Sequence, residues 1–139
     1  MKQTPGSIGY VELVYALQNK MPAAMLKNKA GNFVAASLES SSAAAAIDLA
    51  ADMRVSLTNT DSPEGYPISS FTYLLLYKDQ FYDNRTEASA KATISLVNYL
   101  IHEGQKYAES LGYASLPAAA VTKAEEILKS VTYNNKPLQ

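Results

Sequence analysis

Few residues of this 139-residue chain have the type and spacing for chemistry, and they are quickly named: His102, the pair Asp48 and Asp52, the run Ser40-Ser41-Ser42, and Ser7 between two glycines. His102 follows Ile101 on a predicted helix, at the border between its apolar stripe and its polar side. A catalytic histidine needs a nucleophile or an orienting carboxylate in reach, and Glu103, its sequence neighbour, projects elsewhere on a helix. His102 therefore reads as a surface or boundary residue. Asp48 and Asp52 are four apart, a spacing that on a helix could hold a metal ion or share a proton. No histidine or third carboxylate joins them at ligand spacing, so a solvated face is the better account. The serine run lacks the Gly-x-Ser-x-Gly setting of a nucleophile. Gly6-Ser7-Ile8-Gly9 has the look of a phosphate loop without its lysine or the third glycine of a dinucleotide fingerprint. Cysteine is absent, which excludes disulfides, thiolate zinc sites and a cysteine nucleophile. Ten tyrosines stand against three phenylalanines; they could stack on a sugar or base, or sit half-buried with a partner for each hydroxyl. The residues alone thus describe an α/β domain with no catalytic centre, metal site or cofactor.

Composition narrows the partners. An apolar fraction of 47% with 18% charged residues suits a globular chain. Twelve basic residues against 13 acidic ones leave a net charge of -1, which gives no footprint for nucleic acid. No apolar run approaches the roughly 20 residues of a membrane span; residues 73–77 are far too short. The opening, Lys2 followed closely by Thr4-Pro5-Gly6, has no apolar core of a signal peptide. Read alone, it suggests a cytoplasmic chain.

The elements follow from periodicity and punctuation. Ile8 to Val11 is strand-like, Glu12 to Gln18 makes one or two helical turns, and Met21 to Lys27 is a strand closed by an Ala30-Gly31-Asn32 turn into Phe33-Val34. Ser37 caps an alanine-rich helix with Glu39 in its first turn, expected to run to Met53. Arg54 to Thr58 alternates as a half-buried strand does. Residues 59–65 are the clearest loop. Ser69 to Tyr77 reads as the strongest strand, its run Tyr73-Leu74-Leu75-Leu76-Tyr77 suited to burial on both faces of a mainly parallel sheet. Thr86 caps a long helix whose stripe is Ala90, Ile94, Val97, Ile101, Gly104, Ala108 and Leu111, widened by Leu96 and Leu100 and stopped by Gly112. Pro117 opens a last helix with Val121, Ala124, Leu128 and Val131 on its apolar face. Asn134 to Gln139 is a polar, frayed tail. Strands alternating with helices give an α/β class with a mixed sheet and flanking helices.

At three places the sequence is no longer generic. Thr4-Pro5-Gly6-Ser7-Ile8-Gly9-Tyr10-Val11-Glu12, followed by Tyr15-Ala16-Leu17-Gln18-Asn19, resembles a segment of the phosphate-binding proteins of ABC-type phosphate importers. Tyr66-Pro67-Ile68-Ser69-Ser70-Phe71-Thr72-Tyr73 is similar to their strand passing between two lobes. Gly104-Gln105-Lys106-Tyr107-Ala108, with Leu111-Gly112-Tyr113-Ala114-Ser115-Leu116-Pro117, is similar to their C-terminal signature. Ser37-Leu38-Glu39-Ser40 and Asp52 to Asn59 fit between them, so the resemblance covers essentially the whole chain as the C-terminal portion of such a protein.

The resemblance implies a type II periplasmic-binding-protein fold, present in part, with residues 1–65 from one lobe and 66–139 from the other. It implies inorganic phosphate held between lobes, an ABC permease as partner, and a periplasmic or membrane-anchored extracellular location, the leader belonging to an upstream part. Phosphate would be bound by hydroxyls, helix N-terminal amides, an arginine and a proton-accepting carboxylate. The family's Ser-Gly-Thr loop, its arginine and its aspartate lie upstream of Thr4, so none maps onto this chain. Arg54 and Arg85 are its only arginines, and neither falls in that motif. If a cleft forms here, Ser7, Arg54, Ser69, Ser70 and Thr72 are the candidates to line it. Uncovered apolar surface at Leu74 to Leu76 and along Ile94, Val97 and Ile101 leads to an expectation of self-association. The rival is a stand-alone interaction or regulatory protein that kept the fold and lost phosphate; an enzyme acting on phosphate esters has no nucleophile or metal constellation here.

Overall fold

Short polar side chains at the starts of two helices, and asparagine or glycine at turns, help set where elements of this chain begin and end. The computed structural model describes residues 4–138; residues 1–3, part of the opening read as leaderless, and Gln139 of the expected tail lie outside it. The class is mixed α/β, with four α-helices and two small antiparallel sheets among the described residues. The chain alternates between two compact units. One takes the described residues up to Ile47, Leu57–Ser70 and Tyr107–Ser115; the other takes Asp48–Ser56, Phe71–Lys106 and the described residues from Leu116 onward.

The first unit holds helix α1 (Leu13–Gln18), the hairpin β1 (Leu26–Lys27) and β2 (Phe33–Val34), and helix α2 (Leu38–Ala44). Leu26 pairs with Val34 and Lys27 with Phe33, closed by the expected turn around Gly31. Ser37 caps α2 reciprocally: its hydroxyl accepts the Ser40 N–H, while Ser40 Oγ accepts the Ser37 N–H, each at 3.0 Å. Buried Asn28 fastens the loop of residues 59–65 to the hairpin. Its Nδ2 donates to the Pro63 carbonyl at 2.9 Å and to those of Ser62 and Gly65 at 3.3 Å, while its Oδ1 accepts the Asn32 N–H at 3.0 Å. Small residues then allow the loop to lie on the helix: a Cβ on Gly65 would come within 3.0 Å of Ala44 Cα.

The second unit is built on α3 (Glu87–Ile101) and α4 (Ala118–Lys129), with a hairpin of β3 (Thr132–Tyr133) and β4 (Lys136–Pro137). Thr86 caps α3 as expected, accepting the Ser89 N–H at 3.2 Å. Ala90, Ile94 and Ile101 meet Leu128, Val131 and Leu138 in one apolar cluster, with Val97, Leu116, Ala124 and Tyr133 at its margin. Fully burying the isoleucine, leucine and valine side chains of this cluster stabilises by about 1.5–3 kcal/mol each. Pro117 stands at the cap of α4, one position before its first turn.

Several expectations are corrected. No residue of 8–11, 54–58 or 69–77 is in a strand, and of 21–27 only the last two are. A strand of a parallel sheet draws its hydrogen bonds from neighbours distant in sequence. Here the parallel pairing is a single bridge between Asp79 and Thr132, just beyond the apolar run. Leu75 is accordingly 93% exposed rather than buried on both faces. Helix α2 stops at Ala44, well before Met53, so Asp48 and Asp52 do not share a helix face. Helix α3 ends at Ile101; two 3-10 turns, Glu103–Tyr107 and Glu109–Leu111, carry the chain to Gly112. Leu96, Leu100 and Leu111 are exposed, and the Ile94 and Ile101 stripe is covered by α4 rather than open. The tail is no frayed end: Asn134 and Asn135, with φ of 50° and 61°, make the tight turn of the β3–β4 hairpin, and Leu138 is buried.

Gly112 has the expected left-handed backbone, φ 80°, and a Cβ there would come within 2.8 Å of Val14 Cγ2. Gly6 has a similar φ, 74°, with open space around it. Alanine in this conformation costs about 1–2 kcal/mol, so urea unfolding should show a larger loss for Gly112→Ala than for Gly6→Ala. Equal losses would contradict the packing at Gly112.

Candidate functional site

The five candidate cleft residues are divided between the units: Ser7, Ser69 and Ser70 belong to the first, Arg54 and Thr72 to the second. Ser7 Oγ donates to the Thr4 carbonyl at 2.7 Å, closing the Thr4-Pro5-Gly6-Ser7 turn, and Ser69 Oγ donates to the Tyr66 carbonyl at 2.9 Å. Thr72 is exposed. The Arg54 guanidinium is held by Asp52, with Nε at 2.7 Å and Nη2 at 2.6 Å from Oδ2. That contact, reinforced by the Arg54 backbone N–H at 3.1 Å, holds the Asp52 carboxyl below its ordinary value.

Arg85, the other arginine, is also engaged. Nη1 donates to Tyr82 Oη at 2.6 Å, Nη2 donates to the Ser89 carbonyl at 3.2 Å and to Thr93 Oγ1, and the guanidinium lies 5.5 Å from the Tyr82 ring centroid. Its Nε is buried without a hydrogen-bond partner among the described residues. Tyr133 Oη donates to the Arg85 carbonyl at 2.9 Å, tying this cluster to β3.

Two further clusters escaped the sequence reading. Asp79 accepts four hydrogen bonds: Phe81 N–H at 2.8 Å and Asn134 N–H at 3.1 Å on Oδ1, Asn135 N–H at 2.7 Å and Thr132 Oγ1 at 3.1 Å on Oδ2. The successive amides of a positive-φ turn form a concave anion site, and here a carboxylate of the same chain fills it. The Phe81 amide, then the Asn135 amide, hold the Asp79 carboxyl below its ordinary 3.8. A signal was present in the sequence, two adjacent asparagines after Thr132-Tyr133, but the aspartate that serves the turn lies more than fifty residues away.

His102 does have a carboxylate in reach, from α4 rather than from its neighbour. Nε2 lies 2.7 Å from Glu125 Oε1 and Nδ1 lies 2.9 Å from the Asn98 carbonyl. The Asn98 carbonyl first, then Glu125, raise His102 above its ordinary 6.5. The pair borders a shallow hollow of about 180 Å³ with Asn98, Leu128 and Lys129. Among the described residues no serine or threonine hydroxyl lines that hollow, so the pair is not set beside a side-chain nucleophile there. Among the described residues there is no group of three or more side chains able to hold a metal ion, and no helix long and apolar enough to cross a membrane.

No family model matches the chain. Curated relatives do. The phosphate-binding protein PstS of Xylella fastidiosa (strain 9a5c) is 38% identical over 90% of this chain. That of Pasteurella multocida (strain Pm70) is 37% identical over 86%, and that of Methanocaldococcus jannaschii 34% identical over 84%. The chain spans about a third of these relatives' length: 34%, 34% and 33%.

A carboxyl held below its ordinary value contributes stability that is present above 3.8 and lost as pH falls through the folded-state value. Asp79→Asn should therefore lower the urea midpoint at neutral pH, and the gap to the unsubstituted chain should narrow as the solution is acidified. A gap independent of pH would show that the charge on Asp79 is not what holds the hairpin turn.

Proposed function

Since the chain is homologous to the PstS phosphate-binding proteins across about a third of their length, we propose that it is the C-terminal portion of the phosphate-binding component of an ABC-type phosphate importer. It is a binding module rather than an enzyme, and in the whole protein it works outside the cytoplasmic membrane and delivers inorganic phosphate to a permease. The observation that carries this reading is identity of 34–38% sustained over 84–90% of the chain in relatives from different organisms. The corresponding fold is the two-lobed periplasmic-binding type, with residues 1–65 contributing to one lobe and 66–139 to the other.

In this reading the chain supplies scaffold, and the principal phosphate ligands come from outside it. The engagement of both guanidinium groups supports that division. An arginine that holds phosphate presents its fork to an open site, whereas Arg54 is paired with Asp52 and Arg85 is bound within its own cluster. The same engagement favours the second reading, a stand-alone interaction protein that has kept the family's sequence and no longer takes phosphate. Exposed apolar side chains at Leu74 and Leu75 support self-association of the chain when it is alone.

Two titrations with inorganic phosphate test this. The chain alone should give no binding heat and no rise in thermal midpoint, although an intact site at a thousand times its dissociation constant would add about 4 kcal/mol. A chimaera in which this chain replaces the matching segment of the Xylella fastidiosa PstS protein should fold and bind phosphate. Binding by the chain alone would overturn the absence of ligands and make alanine variants of Ser7, Arg54, Ser69, Ser70 and Thr72 the next measurement. A folded chimaera that does not bind would favour the second reading.

A further inference from the structure

The ring of His102 faces two acceptors and no donor. The Asn98 carbonyl beside Nδ1 cannot donate a hydrogen bond, and neither can the ionised Glu125 carboxylate beside Nε2. A neutral imidazole has one N–H and one lone pair, so it satisfies one contact and sets its lone pair against an oxygen in the other. Only the imidazolium satisfies both.

The contact on the Asn98 side has a structural reason. In a continuing α-helix the His102 N–H would bond the Asn98 carbonyl. Here it bonds the Tyr99 carbonyl at 3.2 Å, and His102 leaves the helix at φ -119°, ψ -98°. The Asn98 carbonyl, freed by the break, is taken by the ring of the same residue whose backbone abandoned it. A cation at this point also faces the negative end of the α3 dipole. The contact on the other side crosses from α3 to α4, 23 residues on.

We propose that protonated His102 is a clasp that ends α3 and fastens it to α4, so that the pairing of these two helices is set by pH. The charged groups around it are few: Glu125 and Lys129 from α4, and Glu103 from the following turn, itself 4.0 Å from Lys106. Glu125 and Glu103 favour the imidazolium, and Lys129 at the rim of the hollow opposes it. Because the folded-state value is raised, the stability the clasp contributes is fully present below 6.5 and is lost as pH rises through the higher folded-state value. Release on the alkaline side leaves the apolar cluster of Ile94, Ile101 and Leu128 to hold the helices together, so the device loosens the pair rather than unfolding it outright.

The test is unambiguous in assignment, because the chain has one histidine. Its ring proton resonance should titrate above 6.5 in the native chain, return toward 6.5 in Glu125→Gln, and do so again in the native sequence unfolded in urea. Urea midpoints of the chain and of His102→Gln should differ on the acid side, at about pH 5.5, and converge at about pH 8.5, where an unshifted or modestly shifted histidine is neutral. A native titration at or below 6.5, or one that Glu125→Gln leaves unmoved, would overturn the clasp. So would a midpoint difference that persists unchanged across this range. If either variant fails to fold, the native and urea-unfolded titrations decide alone.

Discussion

The second unit depends on how one long helical segment is broken. Residues 87–111 carry helix-forming side chains almost throughout, yet α3 stops at Ile101 because two side chains take the carbonyls that the break exposes. His102 takes that of Asn98, and Gln105 Nε2 donates to that of Leu100 at 2.7 Å. Gln105 also works forward, its Oε1 accepting the Leu116 N–H at 2.8 Å just before α4 begins. Unsatisfied carbonyls at a helix end are costly when partly buried, so these contacts fix where the chain leaves α3 and where α4 starts. The apolar cluster of Ile94, Ile101, Leu128, Val131 and Leu138 follows from that placement. Asp79 then draws the β3–β4 turn to the segment preceding the helices through four donated hydrogen bonds.

What could be read from the sequence was local. Ser37 and Thr86 announce the starts of α2 and α3 because a cap is chosen by residues within one turn. Ala30-Gly31-Asn32 announces the hairpin, and Gly112 the positive φ, for the same reason. The apolar run Tyr73 to Tyr77 misled because strand formation is decided by partners elsewhere: the residues have the propensity, and the described chain offers one parallel bridge, at Asp79. The end of α3 was illegible because Gly104-Gln105-Lys106-Tyr107-Ala108 does not forbid helix. The side chain that takes the Leu100 carbonyl, Gln105, is itself held by the Leu116 N–H eleven residues on, just before α4. The sequence reads His102 as a surface or boundary residue between the two faces of a helix continuing to Leu111. It is exposed, but it stands at the C-cap of α3, and its carboxylate partner could not be found among its sequence neighbours.

The candidate binding residues show the same division. Ser7 and Ser69 use their hydroxyls to close the turns they sit in, and Arg54 serves Asp52 two residues away. Turn chemistry and anion chemistry draw on the same residue types, so composition at these positions cannot separate them. The resemblance read from the sequence rests instead on the ordered segments from Thr4 to Glu12, Tyr66 to Tyr73 and Gly104 to Pro117, and the PstS relatives match 84–90% of the chain. The likeness to these proteins was therefore more legible than any site.

The central physical claim is that packing is concentrated in α3, α4 and the β3–β4 hairpin, while residues 71–77, though apolar, form no strand. Backbone amide hydrogen exchange of the chain at neutral pH measures this most directly. The account predicts slow exchange along α3 and α4, at the Thr132 amide that donates to Lys78 and at the Gln80 amide that donates to Thr132, with fast exchange from 73 to 76. Protection of 73–76 comparable to that of α3 would contradict it, because it would mean that the apolar run is already paired in a sheet.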